Sequence, residues 1–142
     1  MRVTRRSVIK FLQEVPLFTN CSAKELRSII EIAKNQTFKA ETRIVAQGDR
    51  ATSFYLILDG KVAIRRDGHD LAELQVGQFF GEMALLNDES RSADVIAIEK
   101  TQCLILTRWA LHSILLNNPQ IAIRIIGELA RRLRDTNRKL TE

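Results

Sequence analysis

SFYLILDGKVAIRRDGHDLAELQ, residues 53–75, is the stretch that decides the fold. Short apolar segments at 53–59, 61–66 and 70–75 are broken by Asp59-Gly60 and Asp67-Gly68. Asp-Gly supplies the positive φ angles that tight hairpin turns require, so both dipeptides predict antiparallel hairpins. The same pattern extends outward on both sides. Segments near 36–39, 43–47, 94–99 and 102–107 are rich in Val, Ile, Leu and Phe, and Gly48-Asp49 and Val76-Gly77 add further turns. Many short strands on a regular beat predict a mainly β fold, an antiparallel β-barrel or jelly roll rather than a parallel sheet.

Helical periodicity flanks this β region. Val3 to Val15 places apolar residues at 8, 11, 12 and 15, Pro16 interrupts, and Leu17-Phe18 forms a short apolar anchor. Ser22 with Glu25 three residues on reads as a capping box, opening a helix that buries Leu26, Ile29, Ile30 and Ala33. After Thr107 a short helix runs over Arg108–Leu116 and stops at Asn117-Asn118. Pro119 then suits the first turn of a long helix reaching about Leu140. In that helix Ala122, Ile126, Leu129, Leu133, Thr136 and Leu140 alternate by four and three, a coiled-coil seam with one polar position. The seam can pack on the chain's own barrel. Its strictness and polar flanks favour a homodimer through this C-terminal helix.

The 142 residues suit a single domain: N-terminal helices over 1–34, a barrel over 35–107, and C-terminal helices over 108–142. No apolar run nears the roughly 18 residues of a membrane span, and the N-terminus lacks a signal-peptide core. Cys21 and Cys103 have no metal-ligand spacing and read as free thiols in a reducing cytoplasm. The net charge of +5 is unevenly spread: residues 41–99 hold eleven acids and six bases, residues 119–142 six bases and three acids. Without interleaved aromatics the basic ends read as solvated helix faces rather than a nucleic-acid surface.

One segment breaks the β beat. FGEMALLNDESRSAD, residues 80–94, has helix-like residues over 80–87 and combines a carboxylate, a guanidinium and small residues. A helix starting near Gly81 would direct free N–H groups and a positive dipole end at an anion. Arg91 would present a planar fork to two phosphate oxygens, and Glu82 would take a neutral donor such as a ribose hydroxyl. The plain alternative is that Glu82 and Arg91 pair with each other or with solvent. Gly81 before the Glu, and Ser92 and Ala93 after the Arg, weigh against it.

Read together, these residues resemble a cyclic nucleotide-binding domain. The likeness runs from FLQEVPLF through IVAQGD and FYLILDGKVAI to the last helix. Its most specific part is similar to the family's phosphate-binding cassette, FGE-x-AL followed by R-[STA]-A. The resemblance implies that Glu82 and the Gly81 amide hold the ribose 2′-hydroxyl. Arg91 would pair with the cyclic phosphate, and the Ser92, Ala93 and Ala84 amides would lie beside it. Phe80 and Met83 flank these positions as candidate ligand-binding residues, and Val62 and Leu74 are expected to line the base pocket. The segment ARRLRDTN, residues 130–137, resembles the corresponding helix of catabolite-activator-like regulators. By that likeness Thr136 reaches the adenine amino group, Asn137 stands where a partner subunit contributes a serine, and Arg132 pairs with the ribose-binding Glu82.

The sequence departs from the pattern at Ser90, where proline is common, and at Asp94, which adds a negative charge near the cassette. The resemblance implies a non-enzymatic cytoplasmic sensor of cAMP, with cGMP as the alternative ligand, whose last helix moves on binding; no cofactor is expected. No helix-turn-helix segment follows, so DNA binding by this chain alone is not expected. The chain is expected to be a stand-alone sensor or part of a larger regulator, kinase or channel with an unknown effector. The competing expectations are a same-fold sensor of another effector and a dimerisation module.

Overall fold

The computed structural model describes residues 5–50, 52–82 and 93–141. The chain begins with helix α1 (Arg5–Glu14), a 3-10 turn (Pro16–Phe18) and helix α2 (Ala23–Ile32). Strands β1 (Lys34–Phe38), β2 (Arg43–Val45), β3 (Ser53–Asp59), β4 (Lys61–Arg66), β5 (His69–Gln75), β6 (Phe79–Phe80), β7 (Asp94–Ala97) and β8 (Thr101–Thr107) follow. Helices α3 (Arg108–Asn117) and α4 (Pro119–Thr141) complete the order. The strands form two antiparallel four-stranded sheets, β1-β8-β3-β6 and β2-β7-β4-β5.

The strands β3 and β8 of the first sheet carry buried side chains on both faces, whereas β1 at its edge is largely exposed. On β3, Phe54, Leu56 and Leu58 join a core that also holds Leu12, Leu26, Leu111, Ile121 and Ile125 of the helices. From the opposite face, Ile57 joins Val62, Leu74, Phe80 and Val95 between the sheets. Strand β8 divides in the same way, Leu104 and Leu106 towards the helices and Cys103 towards the second sheet. The alternation expected of a strand with one wet face is therefore absent from FYLIL and CLIL, because both sets of side chains are buried. Phe79 and Phe80 repeat this division in β6. Phe79 lies 5.2 Å from Phe54 between ring centroids, and Phe80 stacks on Tyr55 at 4.7 Å.

The helices follow their sequence signals closely. Ser22 caps α2, accepting from the Glu25 N–H at 3.1 Å while Glu25 accepts from the Ser22 N–H at 3.0 Å. Leu26 and Ile29 are fully buried, whereas Ile30 and Ala33 are only partly so, Ala33 being the extended residue that ends the helix. Pro119 opens α4 as expected.

Several boundaries differ from expectation. Strand β2 ends at Val45, and Gln47 lies in a connection held by side chains. Its N–H donates to Asp94 Oδ1 at 2.6 Å, and its amide exchanges bonds with Asp67 at 3.1 and 3.2 Å. Phe80 is strand rather than helix, since it pairs with Tyr55. The larger difference is at Asp59-Gly60, which is not a hairpin. Strand β3 pairs with β8 and β6, while β4 pairs with β5 and β7, so the dipeptide turns a corner between sheets. Asp67-Gly68 is the true hairpin, with φ angles of 52° and 80°. At the corner Gly60 has φ 96° and packs against β8. There the buried Thr101 hydroxyl accepts from Lys61 N–H at 3.2 Å and gives its proton to the carbonyl of Glu99 (2.8 Å) or Lys61 (3.1 Å).

Two stability tests follow from this packing. A Cβ at position 60 would lie 2.5 Å from the Lys100 carbonyl oxygen, in a backbone conformation that L side chains avoid. Gly60→Ala should destabilise the fold by about 2–4 kcal/mol in urea unfolding. Burial pushes the Cys103 thiol up from 9.0 to about 12. Both states keep the proton below pH 9, and between these values only the unfolded chain loses it. Stability should therefore fall by roughly 1.4 kcal/mol per pH unit over that window. Cys103→Ala should lack this component when unfolding is followed against pH.

Candidate functional site

A cavity of about 490 Å³ opens where the second sheet, the end of β6 and the C-terminal half of α4 converge. Its volume falls within the roughly 300–1,000 Å³ typical of small-ligand sites. Apolar residues form one wall: Val45, Ile64, Leu71, Ala72, Leu74, Phe80 and Val95. Polar and charged groups form the rest, with Gln78, Glu82, Glu128, Arg131, Arg132, Asp135, Thr136 and Lys139. A greasy wall facing ionic and hydroxyl groups suits a ligand with a flat apolar part and a polar or charged part.

Local structure explains how Glu82 arrives there. Strand β6 is tied to β3 at Tyr55 and Leu56, and the preceding turn is pinned by Gly77 N–H to Ile57 O at 2.9 Å. Gly81 then adopts φ 84°, a left-handed conformation that turns the chain out of the strand. Glu82 follows immediately and lines the cavity. Ala93 reaches the same cavity just before β7.

Helix α4 supplies the opposite wall. Arg132 stands with its guanidinium carbon 4.5 Å from the Phe79 ring centroid, a cation–π contact. It donates from Nη2 to the Phe79 carbonyl at 2.8 Å and from Nε to Glu128 Oε1 at 3.3 Å. Among the described residues its bonds go to Glu128 and β6, and Glu82, the partner that the resemblance implies, lines the same cavity. Thr136 lines the cavity, its hydroxyl donating to the Arg132 carbonyl at 2.9 Å. Bonding back along its own helix leaves that oxygen's lone pairs to accept from a ligand.

Of the expected site residues, the cavity brings together Leu74, Phe80, Gly81, Glu82, Ala93, Arg132 and Thr136. Val62 lies deeper, wholly buried between the sheets beside Leu74 and Phe80, and Asn137 is exposed on α4 without lining the cavity. Met83, Ala84, Arg91 and Ser92 lie outside the described residues, as does the helix expected after Gly81. Asp94 helps to hold the barrel together: besides bonding Gln47, its carboxylate stands 3.9 Å from Arg43. Sequence reasoning missed Glu128, Arg131, Asp135 and Lys139. Their three- and four-residue spacing marks one face of α4, but nothing local says that this face meets the barrel.

The cyclic nucleotide-binding domain family matches residues 35–118, more than half of the chain. The chain belongs to that family. This cyclic nucleotide-binding domain is 34% identical over 113 residues to a cGMP-dependent protein kinase of Plasmodium berghei, covering 80% of this chain and 13% of the kinase. It is 32% identical over 130 residues to the cyclic AMP receptor protein of Thermus thermophilus, covering 88% of this chain and 60% of that protein. The crystal structure of the Thermus thermophilus catabolite activator protein superposes with a TM-score of 0.78 at 33% identity, over 88% of this chain and 61% of that one. The chain thus spans only part of the relatives it matches. The family is regulatory and generally non-catalytic. Among the described residues no helix is long and apolar enough to cross a membrane.

Proposed function

We propose that the cavity binds a cyclic nucleotide, with cAMP preferred, and that binding is felt by α4. The observation that carries this reading is the meeting of Gly81 and Glu82 with Arg132 and Thr136 around one cavity. These pairs stand about fifty residues apart in the chain, and the cavity draws on both. Glu82 would accept from the ribose hydroxyl, and Arg91 would pair with the cyclic phosphate. Leu74 and the surrounding apolar wall would hold the purine. The Thr136 hydroxyl would take the adenine amino group, which supports cAMP. The name of the Thermus relative agrees with cAMP, whereas that of the Plasmodium kinase points to cGMP.

A ligand moves an equilibrium only by its differential contacts in the two states. Because α4 forms one wall, ligand contacts with Thr136 exist only while the helix covers the cavity. Pocket occupancy and helix position are then linked, and a fused domain or partner protein would receive the movement.

We further infer that α4 pairs with α4 of a second copy. Ile121 and Ile125 dock the first half of the helix on the chain's own core, with Leu129 packed partly against it. Ile126, Leu133 and Leu140 remain 65%, 62% and 79% exposed. Those three residues belong to the four-three seam, so the outward stripe suits a coiled-coil partner.

Isothermal titration with cAMP and cGMP tests the first proposal. The domain should bind cAMP more tightly than cGMP, and heat from neither nucleotide would refute the reading. Arg91→Ala should weaken binding roughly 30- to 1,000-fold, since a buried anion would lose its charge partner. Sedimentation equilibrium tests the second. The wild-type chain should dimerise, and Leu133→Glu, which places a charge in the stripe, should leave it monomeric with its helical circular dichroism intact.

A further inference from the structure

Glu128 is a carboxylate with two guanidinium partners and no place in the sequence pattern of the site. It accepts from Arg131 at 2.7 Å and from Arg132 Nε at 3.3 Å, with 23% of its side chain exposed. A Glu placed three and four residues before its basic partners has the favourable order for intrahelical pairing. Arg132 extends this arrangement across the interface to the Phe79 ring and carbonyl. A guanidinium has five N–H donors in a rigid plane. Among the described residues two of them are used, one on Glu128 and one on Phe79. The others belong to a side chain that lines the cavity together with Glu82.

We propose that Glu128 is a positioning residue: it holds the Arg132 fork so that α4 is keyed to β6 and the remaining donors are presented to the ligand. This rests on the cyclic-nucleotide reading of the cavity. Phe79 is three residues before Glu82 in the chain, with Phe80 and Gly81 between them. Any shift of α4 that carries Arg132 along must release or drag the Phe79 carbonyl, and with it the strand end that places Glu82. Without Glu128 the flexible arginine would still reach Phe79 in some rotamers, but its plane would no longer be fixed. Glu128 also holds Arg131, which lines the same cavity, so the part of the effect that passes through Arg132 must be separated from the rest.

The test is a double-mutant cycle in nucleotide affinity, with amide exchange of the ligand-free chain as a second measurement. Glu128→Gln should weaken cAMP binding roughly three- to tenfold. In an Arg132→Lys background the same substitution should change affinity by less than about twofold, because the fork it orients is gone. Without ligand, Glu128→Gln should speed exchange in β6 and at Tyr55 and Leu56, which face it. Glu128→Asp, which withdraws the charge by one methylene, provides a second variant if the Gln variant fails to fold. Unchanged or tighter binding would make Glu128 a spectator or a competitor for Arg132, and equal losses in both backgrounds would make its role independent of Arg132; either overturns the proposal. Unchanged exchange overturns the keying of α4 to β6. Should the wild-type chain bind neither nucleotide, the reading of the cavity fails, and the exchange measurement alone decides the keying.

Discussion

Strands β3 and β8 form a wall with a hydrophobic core on each side, and every other feature takes its position from that wall. Ile57 and Cys103 face the second sheet, while Phe54, Leu56, Leu104 and Leu106 face the helices. A strand buried on both faces cannot slip by one residue at little cost, because a slip would exchange two packed sets of side chains. Register on this wall is thereby tightly set. Strand β6 is only two residues long, yet its pairing with Tyr55 and Leu56 places Phe79 in one core and Phe80 in the other.

The cavity depends on that short strand. Phe80 contributes to the floor, Gly81 turns the chain, and Glu82 enters the polar side. Phe79, on the opposite face, is the residue that Arg132 grips. One dipeptide thus touches both the cavity and the helix proposed to carry the signal. That contact is a cation–π and hydrogen-bonded pair at the edge of solvent, worth little beside the burial of either core. A weak contact between a strongly held sheet and a helix docked mainly through its first half can give way without unfolding either. The exposed Ile126, Leu133 and Leu140 mark the face of α4 that is turned away from its own barrel.

The family match takes in the barrel side of the cavity. The family match ends at residue 118, before α4, so the helix that closes the cavity lies beyond it. The likeness to the Thermus catabolite activator protein covers 88% of the chain, more than that match does.

The sequence by itself determined the element types and most of their limits. Turn chemistry, capping and apolar spacing are local, and they act over a few residues: Ser22 with Glu25, Asp67-Gly68 and Pro119 each carry their own physical cause. It also marked Glu82, Gly81, Arg132 and Thr136, since the cassette and the ARRLRDTN segment are contiguous patterns. Only the tertiary structure decided which strands share a sheet, that Asp59-Gly60 turns a corner rather than a hairpin, and that Arg132 takes Glu128 and Phe79 as partners. An Asp-Gly pair specifies a backbone angle and not a neighbour, whereas Gly60 is required there because β8, about forty residues away, packs against it. Partner choice between charged groups is a matter of distance in space, and along the chain Glu128 was simply one more acid on a helix.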